Sequence, residues 1–383
     1  MCLPVSVTED EPTLISHIEG RELPDEDIVV SVVEERFRPW PLRLMFLVLG
    51  LALFVTALGL MKEGARELIG TLEGSVFTDN AWSTLGLGWL GACIVLSGSP
   101  MAASSLALLE GDAIDRDQAF TMLTGSRLGA AFVVLVVGVI YALRKSNEGS
   151  RRAPVSIGVL SLLMTSMVYV PGAVVGYVLL DRGAFDSLDI GTSPGLTSFT
   201  DSAFGWAADL LRDVAPDWLL FPFGLVVLLI GFSAFDRALP AMTGDRLESE
   251  DSWYTRKWPM FLVGCGVTLL TLSVAVSLTL LVPIVAKGRL RRANTLPYIA
   301  GANITTLADT LVAAIVLGNQ DGVRVVVAVT VTVTIWTLLL LTFAYPVLRR
   351  VCLEIAQWAL TSQKRLAAFA AMLFVIPITL IAI

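Results

Sequence analysis

The chain is short of histidine, of charge and of paired cysteine. A single histidine, His17, among 383 residues excludes chemistry or metal binding built on several imidazoles. Charged residues are 16% of the sequence, against about 25% in soluble domains, which excludes a soluble enzyme. The four cysteines, Cys2, Cys93, Cys265 and Cys352, are scattered and make neither a disulfide framework nor a metal site. No nucleotide loop is present: Gly86-Leu87-Gly88 lacks the further glycine pattern and a strand before it. An enzyme is therefore not expected, nor a cofactor. Acidic residues outnumber basic ones, 34 to 27, and residues 1–40 alone hold ten acids against three bases. An acidic tail has no affinity for nucleic acid, and it is too polar for a signal peptide.

What the chain has is long apolar runs. Apolar residues are 55% of it, and no charge occurs in 80–109, 153–180, 258–286 or 325–348. Runs of that length suffice for a bilayer, which needs about 20 residues, and are too long for barrel strands of about 10. The fold class expected is an all-α polytopic membrane protein. Spans are expected at 44–61, 118–143, 155–180, 218–235, 295–318, 324–348 and 366–383. The break in the second of these is expected at Gly125-Ser126-Arg127. Residues 62–67 suggest a short surface helix, and Arg349-Arg350 the end of a span.

Orientation follows from Lys and Arg. Basic clusters at 36–43, 144–152, 287–292, 349–350 and 364–365 place the N-terminus in the cytoplasm and the acidic loop 181–217 outside. The C-terminus then lies outside, in a cytoplasmic (inner) membrane. With those loops fixed, 82–109 and 258–286 make no net crossing. Each is expected to be a re-entrant hairpin, the alternative being a tilted crossing with a compensating segment elsewhere. The halves also match at an offset of 176 residues: Trp82 on Trp258, Gly88 on Gly264, Ser97 on Ser273, Gly125 on Gly301. Three crossings per half give them opposite orientation, the mark of inverted repeats in alternating-access transporters. The expected divisions are a tail (1–40), repeat 1 (41–180), the acidic loop (181–217), repeat 2 (218–348) and a final basic connection with one extra helix (349–383).

Broken backbone within a membrane is tolerated only inside protein or beside a wet cavity. Ser97-Gly98-Ser99-Pro100 is such a break, with Ser99 expected to cap the half-helix behind it and Ser104 one turn along. Its counterpart in the second half carries Ser273, Ser277 and Thr279 without glycine or proline. The second polar pair of segments is Gly125-Ser126-Arg127 and Gly301-Ala302-Asn303-Ile304-Thr305-Thr306. Arg127 and Asp309 are the charges deep inside these spans. A charge at mid-bilayer costs several kcal/mol, so each must face protein or water. They are either an ion pair between halves, ligands for substrate or coupling ion, or side chains reaching to the interface.

The segment Pro297-Tyr298-Ile299 followed by Gly301-Ala302-Asn303-Ile304-Thr305-Thr306 resembles the type II sodium/phosphate cotransporter family. That resemblance spans roughly 44–348 and implies two inverted repeats. Each would carry a re-entrant glutamine–serine motif and a helix opened by Gly-Ala-Asn-Ile-Gly-Thr-Thr. It implies roles in phosphate and sodium binding for Ser97, Ser99, Ser273, Asn303 and Thr306. Departures stand at Leu96 and Leu272 for both glutamines, Arg127 for an asparagine, Thr305 for a glycine, and Leu307 for a threonine. These remove neutral oxygens that suit sodium and add a cation that grips oxyanions through two parallel bonds.

The function expected is a secondary active transporter of phosphate or a similar small anion, with sodium as a coupling ion. A sodium-independent channel or exporter, or a transport-inactive scaffold of the same fold, is the alternative. The partners expected are a small inorganic anion and membrane lipid. The binding residues expected are Ser97, Ser99, Ser104, Ser126, Arg127, Ser273, Ser277, Thr279, Asn303, Thr305, Thr306 and Asp309, of which Ser97, Ser99, Ser273, Ser277, Asn303 and Thr306 are expected to converge near mid-bilayer.

Overall fold

The computed structural model describes residues 40–72, 75–144, 148–188, 216–238, 256–286 and 290–383. The acidic tail, most of the acidic loop, and parts of the basic loops at 144–152 and 287–292 lie outside the described residues. The described residues form helices and no strand. In chain order these are α1 (Trp40–Leu72), α2 (Ala81–Val95), α3 (Gly98–Glu110), α4 (Arg116–Ala130), α5 (Phe132–Arg144) and α6 (Glu148–Asp181). Then come α7 (Leu220–Ala238), α8 (Lys257–Thr271), α9 (Val274–Thr279), α10 (Leu281–Ala286), α11 (Arg292–Thr305) and α12 (Leu307–Leu317). The last are α13 (Gln320–Leu339), a wide π turn at Leu340–Ala344, α14 (Tyr345–Leu360) and α15 (Gln363–Ile381).

Six stretches among the described residues are long and apolar enough to cross a bilayer: Pro41–Leu68, Arg116–Leu143, Arg152–Asp181, Arg292–Leu317, Gln320–Leu360 and Gln363–Ile381. Large apolar side chains such as Leu44, Val48, Val174, Ile230, Leu270 and Phe343 point outward on these and neighbouring helices. In water that would be an unmatched apolar surface; in lipid it is the solvated one. The chain is an all-α polytopic membrane protein.

Local sequence sets the ends. Asn80 caps α2 by accepting from the backbone N–H groups of Trp82 and Ser83, while Ser83 accepts from the Asn80 N–H. Asp115 and Gln118 do the same for α4. Gly318, at φ 73°, ends α12, and Asn319 opens α13. Each such cap satisfies amides that a helix start leaves bare.

Four boundaries differ from expectation. Residues 62–67 are not a separate surface helix but the continuation of α1, where Lys62 pairs with Glu110 of α3 at 2.9 Å. The break expected at 125–127 falls at Ala131. Gly125 serves packing instead: a Cβ there would stand 2.1 Å from the Leu85 carbonyl oxygen. Ser97, not Ser99, stands at the cap of α3, so Pro100 lies in the first turn, where its missing N–H has no partner to lose. Finally, the helix runs through Arg349-Arg350 to Leu360.

Two prolines in the second half free carbonyls that other side chains take up. Pro297 inside α11 cannot donate to the Ala293 carbonyl; the Tyr345 hydroxyl does, at 3.4 Å. In the π register the Leu341 carbonyl would look to residue 346, another proline. Lys257, the first residue of α8, donates to it at 2.6 Å.

Candidate functional site

The two interrupted apolar segments, α2–α3 and α8–α10, break in the same way. Leu96 ends α2 in the left-handed region at φ 56°, ψ 27°, and Leu272 ends α8 at φ 48°, ψ 23°. Ser97 and Ser273 follow in extended conformation and open the next helices. Both segments are held by glycines that let backbones touch. A Cβ on Gly88 would sit 2.0 Å from the Met122 carbonyl oxygen, and one on Gly264 2.1 Å from that of Tyr298. Gly125 against Leu85 is matched in the same way by Gly301 against Phe261. Each of these pairs is related by the offset that superimposes the two halves of the sequence.

The end of α4 carries Arg127 into the interior, where its side chain is 1% exposed and that of Asp309 is 5%. Arg127 Nη2 lies 3.4 Å from Asp309 Oδ1 and also donates to the Thr310 hydroxyl. Its Nη1 donates to Thr306 Oγ1 at 3.1 Å, and Thr310 Oγ1 donates to Asp309 Oδ1 at 2.9 Å. Two atoms in this buried cluster have no partner among the described residues: Arg127 Nε and Asp309 Oδ2. The short helix start after Thr306 places Asp309 in the first turn of α12, where the helix dipole favours an anion.

One turn back, Asn303 Nδ2 donates to Thr165 Oγ1 at 3.0 Å. The Tyr169 hydroxyl donates to the Asn303 carbonyl at 2.7 Å, and Tyr169 lies within electrostatic reach of both Arg127 and Asp309. Helices from both halves thus meet in one buried polar layer. The break between α2 and α3 adjoins it, since a Cβ on Gly98 would stand 2.8 Å from the Ser126 carbonyl oxygen and from Ala130 Cβ. Ser99 is buried there and Ser97 half-buried, and neither hydroxyl has a partner among the described residues.

The expected residues therefore divide. Arg127, Thr306 and Asp309 meet directly, Asn303 adjoins them, and Ser97 and Ser99 sit at the tip packed on the Arg127 helix. Ser104 and Ser126 bond back to the carbonyls of Pro100 and Leu123, and Thr279 and Thr305 to those of Val276 and Gly301. Ser273 turns its side chain to the Val276 N–H. Ser277 belongs to a separate network, accepting from Thr268 at 2.6 Å and bonded to the Tyr298 hydroxyl at 2.9 Å. No hydrogen bond among the described residues joins that network to Arg127. The members not expected are Thr310, Thr165 and Tyr169. The exact half-repeat offset places Tyr169 on Tyr345, the signal that would have drawn attention to it.

No protein-family model, no curated protein and no solved structure matches the chain.

Proposed function

We propose that the chain is a secondary transporter of inorganic phosphate or a similar small anion, working by alternating access between two repeats of opposite orientation. The observation that carries this is the buried Arg127–Asp309 pair. A pair serving only to lock helices together gains from having every polar atom satisfied. Here a guanidinium N–H and a carboxylate oxygen are left without protein partners in a buried layer between the halves. A guanidinium with an unpartnered N–H suits an oxyanion, which it can hold through two parallel bonds once Nη2 gives up a present partner.

The hairpins support the same reading. Helices α2 and α3 have 15 and 13 residues, roughly 22 and 20 Å at 1.5 Å per residue, short of the roughly 30 Å hydrocarbon core. Re-entrant segments of this kind, broken at mid-depth where two repeats meet, are typical of secondary transporters. The similarity of the 297–306 segment to type II sodium/phosphate cotransporters points to the same class.

The test is uptake of radiolabelled phosphate into proteoliposomes, with and without a sodium gradient. Saturable uptake is expected, and it should vanish in a folded Arg127→Ala, Asp309→Ala double variant. Uptake near wild type in that variant would reduce the pair to architecture. Absence of any exchange of phosphate, sulfate or arsenate by the wild type would leave a transport-inactive scaffold.

A further inference from the structure

Resting on that transporter reading, we infer that transport is coupled to protons rather than to sodium, with Asp309 as the group that takes the proton when the anion engages Arg127. In the structure the pair is neutral, one positive charge against one negative. The unpartnered Nε and the adjacent Nη2 form one edge of the guanidinium, the edge that an oxyanion grips in parallel. An anion on that edge displaces Asp309 Oδ1 from Nη2. The layer would then hold two anions and one cation, an uncompensated charge away from water. A proton from the aqueous side then open, bonding to Oδ2, restores neutrality. The new O–H has the anion beside it as an acceptor. On the opposite side the O–H breaks, the proton returns to water, the anion leaves, and Oδ1 goes back to Nη2.

Sodium is a poor substitute for that proton because hard cations need several oxygens with free lone pairs. Three of the neutral oxygens near Asp309 already accept a hydrogen bond, which leaves fewer lone pairs for a cation. Thr306 and Thr310 accept from the guanidinium, the Asn303 side chain is bonded to Thr165, and its carbonyl accepts from Tyr169. Arg127 from α4 bonds Asp309 directly, and Tyr169 from α6, bonded to the Asn303 carbonyl, is the other titratable group of this layer. The helices packed against α12 hold their other charges apart from it. Lys62 pairs with Glu110, Glu63 with Arg66, and Asp321 with Arg324. Arg43 and Glu67 lie on α1 with accessible side chains, Arg292 opens α11, and Tyr298 is bonded to Ser277.

The experiment uses the full chain in voltage-clamped vesicles without sodium, at pH 5–6, with a pH-sensitive dye in the lumen and radiolabelled phosphate outside. Exchange of labelled for unlabelled phosphate without gradients reports the transporter reading alone. Adding phosphate should acidify the lumen by one proton per anion. A gradient of one pH unit, acid outside, should hold about a tenfold accumulation, and a sodium gradient should add nothing. Exchange without a response to the pH gradient, or accumulation that follows sodium, overturns proton coupling and leaves the transporter standing. Absence of exchange overturns both. Asp309→Asn should lower the ratio of gradient-driven accumulation to exchange by about tenfold, and Asp309→Glu should keep it. The wild-type measurement decides the matter even if neither variant folds.

Discussion

At the scale of single residues, the polar layer is held together by few atoms, which makes it sensitive to single changes. Arg127→Ala leaves the Asp309 carboxylate buried without its cation, and Asp309→Ala does the reverse. Each should destabilise the protein by about 3–5 kcal/mol, while the double variant recovers most of that loss. Thermal unfolding in detergent reads this directly, and single variants as stable as the wild type would show that the charges are not buried together. Lys257 gives an independent case. Lys257→Met keeps the length of the side chain but strips the Leu341 carbonyl of its donor, with Pro346 unable to replace it. A loss of about 1–3 kcal/mol is expected, the cost of a buried acceptor without a partner. Arg127 and Asp309 were legible in the sequence because charge inside an apolar run has few explanations. Thr310, Thr165 and Tyr169 were not, because hydroxyls in apolar helices usually bond back to their own turn, as Ser104, Ser126 and Thr305 do here. Which hydroxyl instead reaches across to another helix depends on the packing, not on the local sequence.

At the scale of elements, the breaks after α2 and α8 turn on residues that the left-handed region disfavours. Leu96→Gly and Leu272→Gly should each remove strain of about 1–2 kcal/mol, offset in part by the lost leucine side chain. A raised unfolding temperature in at least one is the expected result; a fall in both would mean that the leucine contacts outweigh the backbone. Glycines divide sharply by neighbourhood. Gly88→Ala and Gly264→Ala drive a Cβ into the backbone of the partner helix and should destabilise by about 1–3 kcal/mol or more. Gly59→Ala and Gly266→Ala meet nothing within 4 Å and should stabilise by up to about 1 kcal/mol through helix propensity alone. The same contrast explains where sequence reasoning succeeded. The first hairpin break was visible in Ser97-Gly98-Ser99-Pro100. The second has no glycine or proline, and only its position relative to the first marked it. Gly125 looked like a break because glycine weakens helices, yet here its missing side chain lets α2 and α4 touch while the helix continues to Ala130.

At the scale of the whole molecule, six of the seven expected spans were legible because a bilayer demands about 20 apolar residues in a row, whereas the seventh, at 218–235, falls on α7, whose apolar stretch Leu220–Ala234 is shorter than that. Boundaries past the apolar edge were not, since α1 and the helix through Leu360 continue on charged residues that length and hydropathy do not require. The arrangement of the hairpins in the membrane makes the sharpest demand. If α2–α3 and α8–α10 were single crossings, each would run the basic loops at 144–152 and 287–292 to opposite faces. If both are re-entrant, those loops share the cytoplasmic face and the hairpins enter from opposite sides. Asp112, just past the end of α3, changes face between the two arrangements, whereas Lys287, just past the end of α10, is cytoplasmic in both and serves as the reference. In a background without the four native cysteines, Asp112→Cys should react with an impermeant maleimide only from outside. Lys287→Cys should react only from the cytoplasm. Labelling of Asp112→Cys from the cytoplasm would remove the re-entrant hairpins, and with them the opposed repeats on which alternating access depends. The Arg127–Asp309 contact would survive that result as a bond between helices, but it would no longer sit where two inverted halves can exchange exposure.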